Sequence, residues 1–331
     1  MNHDAQQIPE FNDVILAHNR IRPFIHRTPV MTSSILNEMT GRELYFKCEN
    51  FQKVGAFKYR GATNAVMSLT RDKLDAGVAT HSSGNHAAAL ALAARTHGSM
   101  AWIVMPRTAP QVKIDAVKGY GARIVFCEPT LESRESTLEK VVKETGASFI
   151  HPFDNVNVVS GQGTAAKELL EDVPDLDAVI TPVGGGGLLS GSAITCKHVR
   201  PAMNVFAAEP KNADDAYRSY KTNRLIPSEN PQTIADGLLT SLSPMTFQIM
   251  QEKVDDIHTA TEESIIRSMM LIWERMKIVV EPSAVLPLAV LIEHGQAIKG
   301  QRMGLILSGG NVDFKKMVHL FGSISSVAET G

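Results

Sequence analysis

The chain has 331 residues, with 33 Lys and Arg against 35 Asp and Glu and a formal net charge of -2. That length excludes a linear peptide and suggests one large or two medium domains, while the near-neutral charge offers no field to gather nucleic acid or anionic lipid. With 44% hydrophobic and 21% charged residues, the composition is that of an ordinary globular protein whose partner is a small molecule. Cys48, Cys127 and Cys196 lie far apart with no CxxC spacing, so neither a disulfide framework nor a zinc site is expected, and a reducing cytoplasmic setting fits. The N-terminal MNHDAQQIPEF places acidic and polar residues where a secretory leader needs a basic and then an apolar run. No stretch of about 18 uncharged apolar residues occurs, so neither export nor membrane insertion is expected.

Along the chain, the first unusual stretch is NFQKVGAFKYRG (50–61), where Lys53 and Lys58 stand among glycine, alanine and aromatic residues. Lys58 is bracketed by Phe57 and Tyr59, company unlike that of a surface lysine. Short apolar runs then alternate with helical patterns: GVAT, AWIVMP (101–106), ARIVFCE (122–128), SFIHP (148–152), DAVITPV (177–183), NVFAAEP (204–210) and GLILSGG (304–310). Runs that are apolar throughout, rather than alternating, predict parallel strands covered on both faces by helices. PQVKIDAVKGYG, SRESTLEKVVKETG and GQGTAAKELLEDV have helical spacing, and the first two stop at glycine. The class is α/β. The closing GSISSVAETG is small and polar enough to fray.

Three glycine-containing segments follow strand patterns, where open α/β sheets bind ligands. VGGGGLLSG (183–191) leads from DAVITPV into a helix, so backbone N–H groups and the helix dipole converge on a seat for phosphate. Leu189 or Ser190 stands where GxGxxG would need glycine, and no GK[ST] follows, so the loop is neither of the dinucleotide type nor of the Walker type. HSSGNHAAALALAA (81–94) places Ser82, Ser83, Asn85 and His86 at a helix start, a natural seat for a carboxylate; by itself it reads equally as an N-cap with a solvated histidine. LSGGNVD (307–313) supplies Ser308 and Asn311 at a strand end, and by itself is a turn. A lysine amine, a phosphate cradle, a carboxylate seat and a small hydroxyl together fit pyridoxal phosphate with an amino-acid substrate.

These residues resemble the serine/threonine dehydratase family of fold-type II pyridoxal-phosphate enzymes, nearest its serine racemase branch. The resemblance runs in order through RTPVMTSSILNEMTGRELYFKCENFQKVGAFKYRGA, THSSGNH, VGGGGLLSG, AAEPKNADDAY, TIADG, WERMKIVVEPSA and LSGGNVD. It implies a tryptophan-synthase-β-like fold of two open, twisted, mostly parallel sheets flanked by helices. A large cofactor domain (1–76 and 155–331) and a small domain (77–154) would enclose the site.

By the same resemblance Lys58 is the Schiff-base lysine, and Phe57 packs on the cofactor ring. Asn85 meets the phenolic oxygen, Gly184, Gly185, Gly186, Gly187 and Leu188 surround the phosphate, Gly237 lies near the ring, and Ser308 faces the pyridine nitrogen. Ser82, Ser83, Asn85 and His86 would bind the substrate α-carboxylate. Ser83 would face Lys58 across the cofactor plane, giving two bases on two faces. Arg134 and Thr240 approach the distal end of the substrate; a solvent-facing helix-start arginine is the alternative for Arg134. Glu209, the Ala213 carbonyl and Asp215 resemble an all-oxygen cation loop suited to Mg2+, Ca2+ or Mn2+, which by itself reads as a solvated acidic turn. The implied activity is serine racemisation and dehydration of β-hydroxy amino acids, with threo-3-hydroxyaspartate dehydration as the alternative. A module that binds a phosphate metabolite without catalysis is the distant third. The family suggests a homodimer. Val54 and Ala88 replace a threonine and a glutamine of the nucleotide-activated members, which speaks against activation by ATP although TSSIL (32–36) is kept.

Overall fold

The structure, a computed structural model, describes residues 8–328. The first seven residues of the segment used to judge export, and the last three of the tail expected to fray, lie outside the described residues. Among the described residues ten strands form two sheets. Strands β1 (Val30–Met31), β2 (Glu43–Cys48), β7 (Ala178–Pro182), β8 (Asn204–Pro210), β9 (Asp256–Ala260) and β10 (Arg302–Leu307) build a six-stranded sheet in the order β1-β2-β10-β7-β8-β9. Strands β3 (Val78–His81), β4 (Ala101–Pro106), β5 (Arg123–Cys127) and β6 (Ser148–Phe149) build a second sheet in the order β5-β4-β3-β6. Only the β1–β2 pair is antiparallel; every other pairing is parallel. Parallel neighbours need crossovers, and the expected helices supply them.

The reason for the apolar runs is visible in burial. Every residue of β7 is buried, as are Val205 to Pro210 of β8. Leu44, Phe46, Ile180 and Leu305 fill one layer of the larger sheet, while Val78, Ile103 and Met105 anchor the smaller one. Each fully buried side chain of this size contributes roughly 1.5–3 kcal/mol. The helix Leu131–Thr145 ends on Gly146 with φ 73°, the left-handed cap expected of a terminal glycine. Strands β2 and β9 do not follow the apolar rule: ELYFKC carries the fully buried Lys47, and DIHTA carries His258. Among the described residues no helix is long and apolar enough to cross a membrane.

Parallel strands that run the same way bring their carboxyl ends together. His81 of β3 leads into Ser82–His86, Pro182 of β7 into the glycine loop, and Leu307 of β10 into Ser308–Asn311. The stretch after β2 leads to Lys58.

Candidate active site

Two short turns, Glu49–Phe51 and Lys53–Gly55, separate β2 from the helix Lys58–Met67. Val54 and Gly55 both have positive φ, 57° and 69°. For a β-branched residue that conformation is strained and needs its surroundings to hold it. The holding bonds come from the end of β10: Asn311 Nδ2 donates to the Val54 carbonyl at 2.8 Å, Gly310 N to Gly55 O at 2.9 Å, and Phe57 N to Ser308 O at 3.0 Å. Lys58 is thereby fixed at the first position of its helix. Its Nζ donates to the Pro152 carbonyl at 3.1 Å and stands 5.1 Å from the Phe57 ring centre. The side chain keeps some exposed surface, yet burial around the amine pulls its pKa from 10.5 to about 8, with Glu281 opposing the shift. Lys53 instead lies 5.7 Å from the centre of the Tyr59 ring.

The four glycines are wedged rather than loose. A β-carbon on Gly185 would fall inside the Phe153 ring, and one on Gly184 would lie 2.9 Å from Leu238 Cα. Gly186, at φ 84°, is the N-cap of the helix Gly187–Val199. The first turn of that helix leaves its amides without helical carbonyl partners, so Gly187 and Leu188 present N–H groups with the positive end of the dipole behind them. Gly237 donates its N–H to Ser283 Oγ at 3.1 Å. Ser308 is buried at the end of β10.

Ser82–His86 follows β3 and is tied to Glu281 and Asn311 through Asn85. Asn85 opens the helix Asn85–Thr96, and its Nδ2 donates to both oxygens of Glu281, at 2.9 and 3.1 Å. Asn311 Nδ2 donates to Asn85 Oδ1 at 2.9 Å, and Asn311 N to Glu281 Oε2 at 3.2 Å. Nδ2 of Asn85 carries two protons, so one remains for a ligand once Glu281 holds the other. His86 is buried, and its Nε2 contacts the Ile150 carbonyl at 3.1 Å. Burial, then Lys58, lowers its pKa to about 3, so the ring is neutral and Nδ1 is left as an acceptor.

Glu281 and the Pro152–Phe153 pair were not singled out in the sequence. The available signal was a carboxylate inside the apolar run VVEPSAVL. Burial raises the Glu281 pKa to about 7, with Asn85 as the main opposing hydrogen bond. Ionised Glu281 accepts from both Asn85 and Asn311; once protonated, one of its oxygens becomes a donor facing another donor. Activity is therefore expected to fall as the pH drops through about 7, and Glu281→Gln should erase that acidic limb. A limb that survives in the variant would assign it to another group.

Val54, Ser83, Asn85, Asp236 and Asn311 border one cavity of about 440 Å³. Thr240 is exposed and does not border that cavity. Arg134, in the first turn of Leu131–Thr145, is half-buried, its Nε is buried without a hydrogen-bond partner, and its charge acts on His81 and Cys127. Glu209 and Asp215 are apart from the cavity. Glu209 accepts from Ala216 N at 2.9 Å and Tyr217 N at 2.7 Å, while both Asp215 side-chain oxygens are buried without partners of hydrogen-bond geometry. Burial, then the neighbouring Asp215, pushes Glu209 well up, and burial raises Asp215 to about 6. Among the described residues no group of three or more His, Cys, Asp or Glu side chains gathers as a metal site; this pair would need the Ala213 carbonyl as a third ligand.

The fold is that of pyridoxal-phosphate enzymes. Residues 21–309 match the family described as pyridoxal-phosphate dependent enzyme, and the chain belongs to it. A β-hydroxyaspartate dehydratase of Paracoccus denitrificans is 51% identical over 310 residues, covering 94% of this chain and 98% of that protein. The human serine racemase is 50% identical over 321 residues, covering 95% and 94%. The crystal structure of serine racemase from Dictyostelium discoideum superposes with a TM-score of 0.89 at 50% identity, over 92% of this chain and 99% of that one.

Proposed function

We propose that the chain racemises serine and dehydrates L-serine and L-threonine to keto acid and ammonia, in a site between a large domain (1–76 and 155–331) and a small one (77–154). The observation that carries this reading is the Lys58 amine, held at the Pro152 carbonyl beside the Phe57 ring, where burial lowers its pKa to about 8. The wedged glycines and free first-turn amides fit a phosphate, and Asn85, held by Glu281, fits a phenolic oxygen. Bound pyridoxal phosphate supplies the electron sink that acidifies the substrate α-proton. Ser308, a neutral hydroxyl buried at the end of β10, would face the pyridine nitrogen and keep that sink mild. Ser82, Ser83 and the backbone N–H groups of Asn85 and His86 hold the α-carboxylate; the His86 ring, spent on Ile150, orients the segment. Lys58 takes the α-proton on one face and Ser83 returns one on the other.

Ser83→Ala should then lower racemisation at least about tenfold more than dehydration of the L-isomer, read by chiral chromatography beside keto-acid release. Equal loss of both would remove Ser83 from proton return. Purified protein assayed with L-serine, D-serine, L-threonine and both 3-hydroxyaspartate diastereomers tests the substrate order. A specific observation favours the second reading, threo-3-hydroxyaspartate dehydration: Arg134 is half-buried with its Nε buried and without a hydrogen-bond partner, and its guanidinium suits a β-carboxylate. Turnover of hydroxyaspartate far above serine would put that reading first.

Glu209, the Ala213 carbonyl and Asp215 are proposed to hold a divalent cation, Mg2+, Ca2+ or Mn2+, whose charge would offset the burial that raises both carboxyls. Metal-free, both carboxyls bind protons more tightly folded than unfolded. Their penalty is absent at low pH and grows as pH rises through the Asp215 window, from about 3.8 to about 6. Urea unfolding with EDTA should therefore show stability falling across that window, and added Mg2+ should restore it above pH 6. A homodimer is the proposed assembly, testable by sedimentation.

A further inference from the structure

Arg60 lies two residues beyond Lys58 in the same helix and has no exposed surface. Its guanidinium forks to two carboxylates: Nε and Nη2 donate to Glu49 at 2.7 and 2.8 Å, and Nη1 and Nη2 donate to Glu168, both at 2.8 Å. Nη1 also meets Thr164 Oγ1 at 3.2 Å. Lys47 completes a neutral quartet, donating to Glu168 Oε2 and to the Thr28 carbonyl, both at 2.7 Å, while Thr28 Oγ1 donates to Glu49 at 2.6 Å. His18, on the helix Phe11–Ile21, has its pKa lowered chiefly by burial and feels the charges of Glu168 and Arg60. A buried quartet of this kind is a poor source of stability, because apolar residues of the same volume often do as well. What it provides is direction, since a planar fork fixes both partners at once.

The partners are telling. Glu49 begins the turn that leads from β2 to Lys58, and Glu168 belongs to the helix Val156–Asp172, which follows Pro152, the carbonyl partner of the Lys58 amine. One guanidinium thus fixes the helix that carries the lysine, the segment that precedes it, and the helix behind its hydrogen-bond acceptor. We propose that Arg60 is a positioning residue for Lys58, holding the amine in its buried place between Phe57 and the Pro152 carbonyl through the Glu49–Glu168 fork. The proposal rests on the reading of Lys58 as the cofactor lysine.

The test uses the full chain and pyridoxal phosphate as probe, following by visible absorbance the loss of water as the Lys58 amine and the aldehyde form a C=N bond. Borohydride reduction and peptide mapping locate the adduct. In the unaltered protein the rate should rise with the free amine, with a midpoint near 8. Arg60→Lys keeps the charge but loses the fork, and should move the midpoint up by about one unit towards the ordinary lysine value, slowing bond formation at neutral pH about tenfold. The paired change Lys47→Met with Glu168→Gln keeps the cluster neutral and should shift it the same way, giving a second variant should the first not fold. Both are read at temperatures where circular dichroism shows them folded. A lower melting temperature with an unmoved midpoint would overturn the proposal and leave the quartet as packing alone. An adduct on any lysine other than Lys58 would overturn the underlying reading instead.

Discussion

Lys58→Ala is expected to give a protein that stays colourless with added pyridoxal phosphate, forms no borohydride-stable adduct, and loses about 10²- to 10⁴-fold in turnover. The size follows from the amine's environment. A pKa of about 8 instead of 10.5 is a difference of about 2.5 units, so at neutral pH roughly 300 times more of the lysine is free amine than on an ordinary surface. No neighbour offers the same. Lys53 lies against the Tyr59 ring, with its amine 5.7 Å from the ring centre. Lys58→Arg separates charge from chemistry, because a guanidinium restores the cation but has no free amine at accessible pH. It should be as inactive as the alanine variant. Colour and a trapped adduct persisting in Lys58→Ala would move the anchor elsewhere and undo the reading of NFQKVGAFKYRG.

How much of this was legible in the sequence depends on whether a residue's partners are local. Strands β4, β7, β8 and β10 are readable because a parallel strand buried on both faces leaves a continuous apolar run, whereas β5 keeps the apolar run at a sheet edge, with Arg123 and Phe126 exposed. Strand β2 is not, since Lys47 interrupts it, and the charge is tolerated only because Glu168, 121 residues away, meets it. The glycine loop is readable as a phosphate seat from composition alone, but the reason each glycine is required lies in Leu238 for Gly184, Phe153 for Gly185 and Gly187, and Leu242 and Thr246 for Gly186, which no spacing rule connects to it. Glu281 shows the same limit. Its partner Asn85 is 196 residues distant, and a single carboxylate in VVEPSAVL has no local periodicity to give it away. Local grammar therefore finds the walls of the site. The contacts that lock those walls together are long-range and need the fold.

Gly185 puts that distinction to a measurement. A β-carbon at this position would overlap the Phe153 ring, so Gly185→Ala forces the loop, with its N–H donors, away from its present place. Affinity for pyridoxal phosphate should fall by roughly 10- to 100-fold, with a stability loss of about 1–3 kcal/mol from overpacking. Removing the obstruction should reverse it. Phe153→Ala added to Gly185→Ala should recover most of the lost affinity, a coupling expected only between residues in contact. Gly186→Ala makes the control, because its φ of 84° strains any side chain and its β-carbon would meet Leu242 and Thr246 at 2.8 Å rather than Phe153. The Phe153 change should not rescue it. The choice of probe then tests the chemistry of the seat: pyridoxal lacks the phosphate, so Gly185→Ala should weaken pyridoxal phosphate far more than pyridoxal. Equal weakening of the two would mean that the loop shapes the ring pocket and that the phosphate is held by other groups.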